Sequence, residues 1–116
     1  MEIKIVKDQI SLEEISKIAE RIFGDFAKAV VDIEQKIMGV GGELHADIEA
    51  KLMEECVSKR ENTWGINIYP KMTGEDMIEF DSMVNIKPAL GNRTRGVENN
   101  EIKDKIRKVC SSLIKI

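Results

Sequence analysis

Apolar and polar residues alternate along several stretches of the chain and recur at helical spacing along others, and together the two periods predict an α+β fold. Ile3 and Ile5 share one side of the segment from Glu2 to Val6, which predicts a short half-buried strand. Ser11-Leu12-Glu13-Glu14 has capping-box spacing, so the Ser11 hydroxyl can accept from the Glu14 amide while the Glu14 carboxylate reaches back. A helix comes next, with Leu12, Ile15, Ile18, Ala19, Ile22 and Phe23 as its core-facing stripe and Gly24 as a left-handed stop.

The stretch 28–42 satisfies two patterns. Phe26, Val30, Ile33, Ile37 and Val40 suit a helix, whereas the run Ala29-Val30-Val31-Asp32-Ile33 is rich in β-branched residues and strand-like. The residues from Met38 onward decide between them. From Met38 to Leu52 every even position is apolar or glycine, and from Glu43 to Lys51 every odd position is polar or charged. So sustained a period of two favours one long strand, bent near Gly41 and Gly42, that pairs with Ala27 to Glu34 through a tight turn at Gln35 and Lys36. A helix from Glu43 to Cys56 also puts Leu44, Ile48 and Leu52 on one face but leaves the alternation unexplained.

Thr63 to Tyr69 alternates with Trp64, Ile66 and Ile68 on one side and stops at Pro70. Ile78, Phe80, Ser82, Val84 and Ile86 then alternate up to Pro88, predicting a further strand. A last helix, capped near Asn99 or Asn100, turns Ile102, Ile106, Val109, Leu113 and Ile114 inward. The expected order is β-α-β-β-β-β-α: a two-layer domain over 1–116, with a mostly antiparallel sheet of about five strands and two main helices on one face.

Charge narrows the classes of partner. Eighteen Lys and Arg against 21 Asp and Glu, interspersed along the chain, offer no broad positive field for a phosphate backbone, which disfavours general nucleic-acid binding. No apolar run reaches the length of a membrane span and the N-terminus lacks the regions of a signal peptide, so the expected location is the cytoplasm. Cys56 and Cys110 lie far apart, without a CxxC and with only one histidine in the chain, which excludes a zinc knuckle and leaves two free thiols.

Candidate chemistry falls on the sheet face that the two helices leave uncovered. On a strand, His45, Asp47 and Glu49 project from one side, where Asn67, Asp81 and Asn85 from neighbouring strands can join them. Two carboxylates and an imidazole suit a hard divalent cation such as Mg2+ or Mn2+, with Asp32 or Glu34 close by; the ordinary reading of such a face is a solvated one. His45 beside Asp47 also suits acid–base work. Ser58, Ser82, Ser111 and Ser112 sit in no nucleophile-elbow setting, so a hydrolase triad has no support. Gly91-Asn92-Arg93-Thr94-Arg95-Gly96 brings two guanidinium groups to a loop before a helix N-terminus, where a phosphate or carboxylate can bind; the alternative is that Arg93 or Arg95 pairs with acids of the polar face. Trp64 and Tyr69 read as core and core-edge residues.

Four blocks carry a family likeness: Val30-Val31-Asp32-Ile33-Glu34; Gly41-Gly42-Glu43-Leu44-His45-Ala46-Asp47-Ile48-Glu49; Trp64-Gly65-Ile66-Asn67-Ile68-Tyr69-Pro70; and Asn85-Ile86-Lys87-Pro88 together with Gly91-Asn92-Arg93. In these the chain resembles, over nearly its whole length, a family of small prokaryotic proteins known only as a domain of unknown function. The resemblance implies one compact domain that shares Asp32, Glu34, Glu43, His45, Asp47, Asn67, Asn85, Asn92 and Arg93, and it brings no activity with it. The leading expectation is a non-enzymatic binding or interaction protein, with a homodimer as candidate assembly. It would use the polar sheet face and the arginine loop, with Asn67, Asn85, Asn92, Arg93 and Arg95 as ligand-binding residues. The alternative is a small metal-assisted hydrolase or phosphate-ester enzyme in which His45, Asp47 and Glu49 hold a divalent ion and Arg93 or Arg95 an anion.

Overall fold

In a computed structural model, which describes residues 2–116, the chain opens with β1 (Ile3–Val6) and the two-residue β2 (Ile10–Ser11). The Ser11 hydroxyl accepts from the Glu14 amide at 3.0 Å and starts α1 (Leu12–Ile22), as its spacing predicts. Gly24, at φ 102°, closes the helix by donating to the Ala19 carbonyl at 2.7 Å.

The expected hairpin forms, with β3 (Ala27–Asp32) antiparallel to β4 (Ile37–Gly41). Its turn is wider than the two residues expected, because the buried Asp32 carboxylate organises it: Oδ1 accepts from the Glu34 and Gln35 amides, both at 3.0 Å, and Oδ2 from the Gln35 side chain. Lys36 completes the turn in the left-handed conformation, at φ 61°.

Beyond β4 the structure corrects the sequence reading. No strand continues through Leu52; instead α2 spans His45–Cys56. Gly41 and Gly42, at φ 110° and 83°, take the chain out of the extended region and end the strand. A period of four is also a multiple of two, so Ile48 and Leu52 fit either pattern, and Ala46 and Ala50 between them favour helix over strand. The second correction concerns the strand expected up to Ile86. After β5 (Thr63–Ile68) only the two-residue β6 (Ile78–Glu79) pairs with the sheet, and a 3-10 turn, Met83–Asn85, stands where the strand was expected. The Ser82 hydroxyl accepts from the Val84 amide at 3.2 Å, a local bond that competes with a ladder. Asn99 then caps α3 (Asn100–Leu113), and β7 (Ile114–Lys115) runs parallel to β2, tying the end of α3 to the start of α1.

The five-stranded sheet has the order β1-β4-β3-β5-β6, every pair antiparallel, and the α+β class holds. One face packs on α1 and α3: Ala29, Val31, Met38, Val40, Trp64 and Ile66 meet Ile15, Ile18, Ile106, Val109 and Leu113. The other face is not open. Ile48 and Leu52 of α2 cover Val30 and Ile37, flanked by Ile3 and Ile5, so the domain has three layers instead of two. Gly39 lets α2 approach, since a Cβ there would lie 2.7 Å from the Ile48 side chain. Cys56 and Cys110 are free, and burial pushes the Cys110 thiol up to about 12. No helix among the described residues is long and apolar enough to cross a membrane.

Candidate functional site: the outer side of α2 and the 81–98 loop

Helix α2 redistributes the residues expected on a polar sheet. His45, in its first turn, is buried with Nε2 2.8 Å from the Ile66 carbonyl. A carbonyl only accepts, so the ring proton sits on Nε2. Burial pushes the imidazole pKa down, against the pull of that bond, and keeps the ring neutral at pH 7. Glu49, one turn on and also buried, accepts from the Thr63 hydroxyl at 2.7 Å and from the Arg60 guanidinium at 3.3 Å. Asp47 lies between them in sequence, about 200° around the helix from His45, and is exposed. The three therefore do not converge as a strand would have made them. No three of His, Cys, Asp or Glu gather in a way that could hold a metal ion among the described residues.

Two of the three asparagines expected to meet a ligand, Asn85 and Asn92, hold the loop together. Asn85 stands in for a missing strand: its Oδ1 accepts from the Gly65 amide at 2.7 Å and its Nδ2 donates to the carbonyls of Gly65 and Arg95, both at 2.9 Å. Asn92 does the same within the loop, donating to the Asn85 and Gly96 carbonyls at 2.8 Å and accepting from the Glu98 amide at 2.8 Å. Asn67 donates to Glu79 at 2.8 Å, while its Oδ1 is buried without a partner among the described residues. Arg95 pairs with Asp81 at 2.7 Å, the structural alternative foreseen for it. At the start of α3 the Glu101 and Ile102 amides donate to the Asn99 side chain and the Lys103 amide to the Asn99 carbonyl, so three of its first amides are already paired. Arg93 is exposed and makes no ion pair with a described residue; its backbone amide and that of Thr94 both donate to Glu98.

Lys87 carries no signal in the sequence, where it reads as a residue between a strand and Pro88. It is buried, donates to the Val84 carbonyl at 2.8 Å and holds its ammonium 5.0 Å from the centre of the Trp64 ring. Burial pushes its pKa down to about 8, against the pull of the nearby Glu49 carboxylate. The unfolded chain binds that proton more tightly, so between about pH 8 and the ordinary 10.5 it carries more protons than the folded one, and stability rises with pH across that window. Denaturant titrations at a series of pH values should show this rise in the parent and its loss in Lys87→Met. At pH 7 that variant should be more stable by about 1 kcal/mol, because a desolvated charge is removed.

The outward side of the same region exposes several large apolar residues among charged ones. Met53 on α2, Leu44 and Val57 at its two caps, and Met83 and Leu90 on the loop are exposed large hydrophobic residues, and the Met83–Asn85 turn packs against α2. Ala46, Ala50 and Met53 recur at i, i+4 and i+7, a stripe of helical spacing that faces away from the core, and Val57 follows as the C-cap, just outside the helix. Val57 is 78% exposed and left-handed, at φ 55°, where a β-branched side chain is strained and glycine is the usual residue.

A family model described as a protein of unknown function, DUF5674, matches residues 4–113, from β1 to the end of α3. The chain belongs to that family. The DUF5674 match takes in both α2 and the whole of the 81–98 loop. No curated protein and no solved structure matches the chain.

Proposed function

We propose that the protein is a non-enzymatic interaction domain that docks through the outer side of α2 and the neighbouring 83–90 loop, and that what docks there is a second copy of the chain. The observation that carries this reading is the concentration of exposed large apolar residues on α2 and the segment packed beside it, with Val57 both strained and exposed. Exposure of this kind costs the monomer and is repaid when a partner covers it.

Self-pairing is implied by the order of residues along the stripe. A two-fold axis midway between Ala50 and Met53 sets two copies of α2 antiparallel, so that Ala50 faces Met53 of the second copy and Ala46 comes near Val57 at that copy's C-cap. Small opposes large at each step, which lets the helices approach. The flank carries both signs, with Asp47 and Glu54 beside a Lys51–Glu55 ion pair at 2.8 Å, so it adds no large charge of one sign to the contact. No observation favours the metal-assisted hydrolase or phosphate-ester enzyme once α2 turns Asp47 away from His45 and Glu49.

Sedimentation equilibrium of the untagged chain tests the reading. The expected mass is twice the 13.1 kDa of one chain, falling to one in Met53→Glu with an unchanged circular dichroism spectrum. Val57→Gly should weaken association while stabilising the folded chain, because it relieves the left-handed strain and removes apolar contact together. A parent that sediments as a monomer at every accessible concentration would sink the proposal.

A further inference from the structure

On the α3 side of the sheet, the β3–β4 turn and one flank of α3 border an open cleft of about 670 Å3 whose lining includes three exposed lysines, Lys36, Lys105 and Lys108. One carboxylate, Glu34, lines it with them. None of the three lysines forms an ion pair with a described residue, in a chain whose net charge is −3. Lys105 and Lys108 are three apart on α3 and so lie on one side of it. Lys36 reaches the cleft from the position at φ 61°, a conformation that suits glycine and disfavours lysine. The buried Asp32 carboxylate holds the turn in that shape from below.

Three unpaired ammonium groups around one cleft, with a single carboxylate among them, make a local positive field that attracts an anion. We infer that this cleft binds a small molecule carrying two or more phosphate groups. Its volume falls within the usual range for small-molecule sites, about 300–1,000 Å3. The ammonium groups supply charge-assisted hydrogen bonds to phosphate oxygens, and Asn62 and Ser112 on the lining add polar groups of no net charge. Ile33 and Val109 form an apolar wall for the rest of the ligand. A nucleic-acid strand is the poorer match, because it asks for a basic track and this cluster is confined to one cleft of an acidic chain. The site is separate from the proposed α2 interface and stands or falls independently of it.

Titration of the full chain with inorganic pyrophosphate and tripolyphosphate, monitored by amide chemical shifts and by calorimetry, tests the inference. Saturable binding is expected, with shifts concentrated at Ile33, Lys36, Val109 and Ser112. Lys105→Gln and Lys108→Gln should each weaken it about tenfold, and the variant with all three lysines replaced should lose it. Lys36→Gly suits the turn better than lysine does, so its weaker binding cannot be ascribed to misfolding. Lys17→Gln, on α1, should bind as the parent does. Absence of saturable shifts, or equal binding by the triple variant, would overturn the assignment. So would an oligonucleotide that shifts the same amides at lower concentration than tripolyphosphate does.

Discussion

Asn85→Ala is expected to lower the unfolding free energy by about 3–5 kcal/mol, measured by denaturant titration. The Gly65 amide, the Gly65 carbonyl and the Arg95 carbonyl each lose a side-chain partner at 2.7–2.9 Å, and Asn85 itself is fully buried. Water cannot readily replace these bonds, since Gly65 also lies in the core and Ser82 closes over it. Asn85→Asp should recover only the bond from the Gly65 amide, because a carboxylate cannot donate to the two carbonyls. A loss below about 1 kcal/mol for the alanine variant would mean that the loop is held by something other than this amide.

Gly65→Ala attacks the same seam from the strand side. An added Cβ would lie 2.5 Å from both Cβ and Oγ of Ser82 and 3.0 Å from Val84, so the 82–85 segment must lift away from β5. The expected cost is about 2–3 kcal/mol, with raised amide exchange across 82–96 and little change in α1 or α3. Because both substitutions release one contact region, the double variant should cost clearly less than the two singles added together. Full additivity would show that the loop and β5 are not coupled through this contact.

The sequence made several elements legible for stated reasons. The Ser11 capping box, the Asn99 cap and the apolar stripes behind them mark α1 and α3, and the β-branched run from Val30 marks the hairpin. Helix α2 was hidden because Ile48 and Leu52 fit a period of four as well as one of two, and Leu44, which the alternation turns inward, is exposed. The loop was hidden because its organising bond joins residues 20 apart, beyond the reach of any local pattern. Polar residues were found more easily than their roles: Asn85 and Asn92 support backbone, His45 and Glu49 lie buried on a helix, and of the expected anion-binding arginines Arg93 alone is unpaired among the described residues. Lys87 had no signal, since only its placement against Trp64 and under Val84 sets it apart from the other lysines.

The α2 surface was legible only after the helix was known. Alanines at 46 and 50 look like filler in a strand, yet on the helix they share its outward side with Met53 and form the small half of the proposed self-complementary contact. A charge pair introduced across the proposed two-fold axis tests that claim most directly. Ala50→Glu and Met53→Lys each place an unpaired charge in both halves of the dimer contact, whereas the double variant sets opposite charges against one another across the axis. Sedimentation equilibrium should show dimer dissociation constants raised about tenfold in each single variant and lowered again in the double. A parent that is monomeric, or a double variant no tighter than the singles, would contradict the account.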